Sequence, residues 1–117
     1  MEINEVSFEN SLPVTGYGIG FFRIGADIFR GNRFIYKNKI FDWNGFSDSN
    51  VILSYRNEID VLFVGTGSDI KNIPSAFKKS IEKHDIGIEI MSTPTACRTY
   101  NVLLGEGRRI GAALLAL

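Results

Sequence analysis

One cysteine, one histidine and three prolines are all that this 117-residue chain carries of those residue types. The lone cysteine, Cys97, excludes an intrachain disulfide. With His84 as the only imidazole, a Cys/His zinc site within one chain is excluded as well, and no metal site is expected. The glycine spacing at Gly65 and Gly67 matches neither a phosphate loop nor a dinucleotide fingerprint, so no cofactor is expected. An excess of one charge is also lacking. Thirteen basic and thirteen acidic residues cancel, which leaves no global field to attract nucleic acid or anionic membrane. Long apolar runs are absent: the longest, Ala112 to Leu117, is far short of the roughly 20 residues that span a bilayer. Membrane insertion is therefore not expected. Met1 to Asn10 carries Glu2, Glu5 and Glu9 with no basic start, which argues against a secretory signal or mitochondrial presequence. The expected location is the cytoplasm.

Apolar residues make up 44% of the chain and charged residues 22%, close to globular averages. A chain of this size buries roughly two-thirds of its unfolded surface, enough for one core, and residues 1–117 are expected to form a single domain. Residues 8–46 hold ten of the fourteen aromatics. Short apolar runs there stop at turn residues: Phe21 to Ile24 at Gly25, and Asp27 to Arg30 at Gly31-Asn32, a dipeptide suited to a two-residue hairpin. Arg33 to Lys37 alternates, and Asn38 offers a turn before Ile40 to Trp43. The pattern predicts an antiparallel meander with one face packed and the other partly wet.

From Ser47 onward the grammar changes. Ser47 or Asp48 is placed to cap a short helix running to Tyr55. Ile59 to Val64 is nearly continuous and apolar, as a strand buried on both faces would be. Pro74 suits a first helical turn, and Ile73, Phe77, Ile81 and His84 follow at helical spacing up to Gly87. Ile88 to Met91 is a second buried strand. Thr93 and Pro94 read as cap and first residue of another helix, whose apolar stripe is Ala96, Tyr100, Leu103 and Leu104. Arg109 to Leu117 closes the chain as a strand, with Gly111, Ala112 and Ala113 small enough for a close neighbouring layer. Right-handed crossovers make this a parallel sheet. The expected fold is α/β in three layers, β/β/α, with a central parallel sheet packed between an antiparallel aromatic-rich sheet and helices.

Topology supplies the candidate site. The loops after the first two parallel strands leave their carboxyl ends, where open α/β sheets bind ligands. Gly65, Thr66 and Gly67 have backbone N–H groups to offer there, and Ser92 and Thr93 open a helix whose N-terminus favours anions. Arg98 adds a fixed cation that opposes the helix dipole, so it calls for a carboxylate such as Asp69, loop carbonyls, or an anion. Without a ligand, the same residues read as a tight strand exit and a structural ion pair. Cys97 lacks a neighbouring base and reads as a small buried thiol. His84 reads as a helix C-terminal residue. No spacing sets two of Asp42, Asp48, Asp60 and Asp69 on one face as an acid/base pair.

The run Val61-Leu62-Phe63-Val64-Gly65-Thr66-Gly67, then Met91-Ser92-Thr93, Ala96-Cys97-Arg98-Thr99-Tyr100-Asn101-Val102-Leu103-Leu104 and Glu106-Gly107-Arg108-Arg109, resembles the small domain shared by mitochondrial NADH dehydrogenase (complex I) assembly factor 3, an adipogenesis-associated relative and bacterial proteins of unknown function. Tyr17-Gly18 and Trp43 fit its aromatic half. The resemblance covers essentially the whole chain and implies a three-layer β/β/α fold. It also implies a protein partner, since the eukaryotic member helps assemble complex I by binding another assembly factor. It brings no catalytic residues. The leading expectation is a non-enzymatic protein-binding module, with the respiratory complex I assembly machinery as the implied partner. The alternative is a small-molecule or anion-binding protein, or an enzyme, using the crevice of Gly65, Thr66, Gly67, Ser92, Thr93 and Arg98.

Overall fold

The computed structural model describes residues 11–117; the reading of residues 1–10 lies outside them. The chain runs β1 (Val14–Gly18), β2 (Phe21–Ile24), β3 (Asp27–Arg30), β4 (Arg33–Tyr36), β5 (Lys39–Asp42), α1 (Asn50–Leu53), β6 (Val61–Gly65), α2 (Ser75–Glu82), β7 (Gly87–Met91), α3 (Thr93–Leu104) and β8 (Ile110–Leu114). As the apolar runs predict, β6 pairs in parallel with both β7 and β8. The fold is α/β, with a small antiparallel sheet, a central sheet and helices in layers.

The meander divides where a single sheet was expected. β1, β2 and β3 form a three-stranded antiparallel sheet, whereas β4 and β5 join the central one, in the order β5-β4-β8-β6-β7. Gly31-Asn32 is thus a corner between sheets rather than the tip of a hairpin. Gly31 takes φ +86° there, and Asn32 holds the end of the last strand by accepting the Ala116 N–H at 2.7 Å. The half-wet face expected for the fourth strand is also absent. Phe34, Ile35 and Tyr36 are all buried, because β4 pairs with β5 and β8 and is covered on both faces.

The helices divide as well. The crossover from β6 to β7 and the one from β7 back past β6 to β8 run in opposite directions, so two right-handed connections put their helices on opposite faces. Phe77 and Ile81 of α2 and Ile52 of α1 pack with Phe34, Leu62, Val64 and Ala113 on one face. Ala96, Cys97 and Tyr100 of α3 share the other face with Val14, Phe22 and Ile24 of the small sheet, against Phe63, Ala112 and Leu114. The crowding at Gly111 comes from beside it rather than from another layer: a Cβ there would lie 3.0 Å from Ile59, just before β6, and 3.1 Å from Phe34 on the adjacent β4.

Three helix ends differ from expectation by a residue or two. Ser49, without a side-chain hydrogen bond, precedes α1, while Asp48 instead accepts the Trp43 indole N–H through its carbonyl at 2.8 Å. Asp85, at φ +62°, takes the left-handed position after α2, and Gly87 opens β7. Ser92 rather than Thr93 caps α3, accepting the Thr95 N–H. Thr93 is drawn inward instead, and that displacement shapes the site.

Candidate functional site

Because β6, β7 and β8 are parallel, their carboxyl ends meet at one edge, and the chain leaves β6 and β7 toward opposite faces. This is the switch-point geometry at which α/β sheets open a crevice. Gly65, Thr66, Gly67, Ser92 and Thr93 all gather here. The Thr93 side chain is fully buried at the centre. Its Oγ1 accepts the Gly67 N–H at 2.8 Å and donates to the Leu115 carbonyl at 2.8 Å. The Thr93 N–H returns to the Gly67 carbonyl at 2.7 Å, and the Leu115 N–H reaches the Gly65 carbonyl at 3.0 Å. One hydroxyl thereby ties the exits of all three parallel strands. Gly65 has no alternative side chain to offer, since a Cβ would stand 2.7 Å from Thr93 Oγ1 and 2.8 Å from its Cα.

Thr66 is spent in the same way. Its N–H donates to the Met91 carbonyl at 3.0 Å, and its hydroxyl donates to the Asp69 carbonyl at 2.7 Å while accepting the Lys71 N–H at 3.0 Å. At the start of α3, Pro94 has no N–H, Thr95 gives its own to Ser92 Oγ at 3.4 Å, and Ala96 gives its own to the Ser92 carbonyl at 2.9 Å. The N–H groups of Thr66, Gly67, Thr93, Thr95 and Ala96 are thus satisfied within the protein.

What remains open is a shallow groove of about 390 Å³ lined by Ser68, Asp69, Ile70, Met91, Ser92 and Thr95. Ser92 is the one predicted residue in that lining. Arg98 lies a turn further along α3 and is exposed. Its guanidinium donates to Thr95 Oγ1 at 3.2 Å and to the Tyr17 hydroxyl at 3.4 Å. The expected tie to a carboxylate or to loop carbonyls is not formed. Among the described residues no carboxylate forms a salt bridge with it. Thr95, which both lines the groove and holds Arg98, was missed from sequence. Its only signal was its place three residues after the Ser92 cap.

Cys97 is buried among apolar side chains, and that burial pushes its thiol up to about 12, with the nearby Arg98 charge only partly opposing it. Such a thiol is not a nucleophile at neutral pH. Burial likewise raises the Tyr100 phenol, whose hydroxyl has no hydrogen-bond partner among the described residues. Asn101 was also missed as a structural residue. Its amide accepts the Val14 N–H at 2.9 Å and donates to the Val14 carbonyl at 2.7 Å, pairing α3 with the edge of β1 as a neighbouring strand would. A carboxamide in a helix beside its apolar stripe was the available signal. Among the described residues no group of three or more His, Cys, Asp or Glu side chains is placed to hold a metal.

Comparison with known proteins agrees with this architecture. A 117-residue alignment with an uncharacterized protein of Rhodobacter capsulatus is 41% identical and covers the whole chain and 94% of that relative. The Drosophila melanogaster NADH dehydrogenase [ubiquinone] 1 alpha subcomplex assembly factor 3 is 34% identical over 115 residues, covering 89% of this chain. The match spans only 58% of that longer protein. The crystal structure of an outer membrane protein from Bartonella henselae superposes with a TM-score of 0.84 at 32% identity, covering 94% of this chain and 98% of that one. Among the described residues no helix is long and apolar enough to cross a membrane. The family model for proteins of unknown function DUF498/DUF598 matches residues 14–115, and the chain belongs to that family.

Proposed function

We propose that residues 1–117 act as one non-enzymatic, protein-binding domain in the cytoplasm, serving respiratory complex I assembly as the name of its Drosophila relative suggests. The observation that carries this reading is the closed strand exit. The Thr93 and Thr66 hydroxyls and the Gly67 N–H are spent on the protein's own backbone, so these groups at the strand exits are not free to fix a small molecule. The test is to purify the protein with its partners from the native host and to titrate each retained protein against it. A saturable complex with an assembly-pathway protein supports the reading, and no complex at micromolar concentration overturns it.

A second reading, anion or small-molecule binding through Gly65, Thr66, Gly67, Ser92, Thr93 and Arg98, is favoured by one contact. Thr95 lines the groove and also holds the exposed Arg98 guanidinium. Thermal unfolding with inorganic phosphate, sulfate and simple carboxylates tests it. A saturable rise in the midpoint that Arg98→Ala abolishes would establish it.

A further inference from the structure

We propose that the outward face of the β1–β2–β3 sheet is the docking surface, and that it fits a partner protein presenting carboxylates around an apolar centre. The proposal rests on the protein-binding reading and adds the surface and the partner's chemistry.

Strand register defines the face. Directly opposed residues of antiparallel strands share a side. Val14 and Ile24 are paired, as are Phe22 and Phe29, and these point into the core or its margin. The other side carries two cross-strand rows, Gly18–Phe21–Arg30 and Gly16–Arg23–Ile28. Asp27 opposes Ile24 and therefore belongs to the inner side. Among the described residues the outward face thus holds two exposed arginines and no carboxylate. Among the described residues neither arginine forms a salt bridge.

Its apolar content is unusual for a solvated face. Ile28 is 49% exposed, and Ile19, at the adjacent β1–β2 turn, is 89% exposed. The two glycines leave β1 bare, and the Phe21 ring lies across Gly18, where a Cβ would overlap it. The result is a surface of aromatic, aliphatic and guanidinium groups, the composition enriched at the centres of protein interfaces. Charge complementarity selects carboxylates as the opposite number, because the planar guanidinium fork binds them bidentately. Two cations fall short of the basic clusters of four to eight that hold a protein to anionic lipid, so a protein surface is favoured over a membrane.

The test uses the full chain and three proteins: wild type, Arg23→Glu/Arg30→Glu, and Lys78→Glu/Lys79→Glu. The last makes the same charge change at exposed positions on α2, across the central sheet. Circular dichroism and unfolding midpoints confirm that each is folded. Host proteins retained by the wild type are purified and titrated against all three, and each protein is also sedimented with phosphatidylglycerol vesicles. The expected result is at least a tenfold weaker complex for Arg23→Glu/Arg30→Glu alone, with affinity restored when a carboxylate of the partner is changed to arginine. A partner that binds all three equally overturns the docking surface while leaving protein binding intact. Vesicle binding lost only in Arg23→Glu/Arg30→Glu, without a protein complex, overturns the proposal in favour of a membrane surface. No complex with any of the three overturns the protein-binding reading itself.

Discussion

β8 and β3 are both short strands, and they meet opposite fates. Every residue of β8 is buried, because β4 and β6 flank it and layers press on both its faces. Its small residues, Gly111, Ala112 and Ala113, are what that crowding admits. β3 is an edge strand of the small sheet, and only Phe29 is partly covered. The lesson is that stability and recognition are assigned to different strands. Change at the exits of the parallel strands should be paid in folding, whereas change on the small sheet's outward face should be felt by a partner alone.

The largest expected effect is at Gly65. Gly65→Ala places a methyl 2.7 Å from a fully buried hydroxyl and 2.8 Å from backbone that cannot swing away. Overpacking of this kind costs about 3 kcal/mol, and chemical denaturation should read it directly. A loss below about 1 kcal/mol would show that α3 slides freely over the sheet. Next is Thr93→Val, which keeps the shape but leaves the Gly67 N–H and the Leu115 carbonyl without their partner. Orphaning such groups costs about 2 kcal/mol. Thr93→Ser retains the hydroxyl and should recover most of it.

The contrast between these strands was legible in sequence as far as pattern carries. Continuous runs such as Val61 to Val64 signal burial on both faces, and β6 is buried beyond its first residue. The helix stripe through Ala96 and Tyr100 was equally plain. The split of the meander was not, because Arg33 to Lys37 alternates like a half-wet strand, and only its long-range pairing with β8 wets neither side. Strand order was illegible for the same reason, and with it the placement of α2 and α3 on opposite faces. At the site, the sequence placed Gly65, Thr66, Gly67, Ser92 and Thr93 at one edge, since that follows from parallel topology. It did not reveal that Thr93 turns inward, because a one-residue shift of the cap to Ser92 reverses where the threonine hydroxyl points.

A smaller effect is expected at Cys97, on the crowded side of the comparison. Cys97→Ala trims a small buried group and should cost about 1 kcal/mol at neutral pH. The thiol's folded value is raised above its ordinary 9.0 to about 12 by burial. Its contribution is therefore fully present below pH 9 and is lost as pH climbs toward 12, at about 1.4 kcal/mol per pH unit for one proton. The variant lacks that titration, so its deficit should shrink steadily above pH 9 in urea titrations. A deficit constant to pH 11 would mean that the thiol ionises as readily folded as unfolded. Native-state labelling by a thiol reagent at neutral pH should be slow for the same reason.

The smallest effect is expected at Arg98, which sits between the two regions and sharpens the boundary. Its charge stands near the positive end of α3, which disfavours it. Had it been neutralised by a buried carboxylate, removing it would have cost up to about 3 kcal/mol by stranding the partner. Instead the guanidinium is exposed and meets two hydroxyls, Thr95 at 3.2 Å and Tyr17 at 3.4 Å. Both hydroxyls can turn to water when it is gone. Relief from the dipole and loss of two weak contacts nearly cancel, so Arg98→Ala should change stability by less than about 0.5 kcal/mol, the range of ordinary surface substitutions. Thermal and urea unfolding in low-salt and in 0.5 M salt buffer, a roughly tenfold change in ionic strength that screens exposed charge, would separate the outcomes. A loss above about 1.5 kcal/mol that persists in high salt would place Arg98 with the crowded strand exits, as part of the core's scaffolding. A neutral result places it with β3, on the side of the molecule where change is not felt in folding.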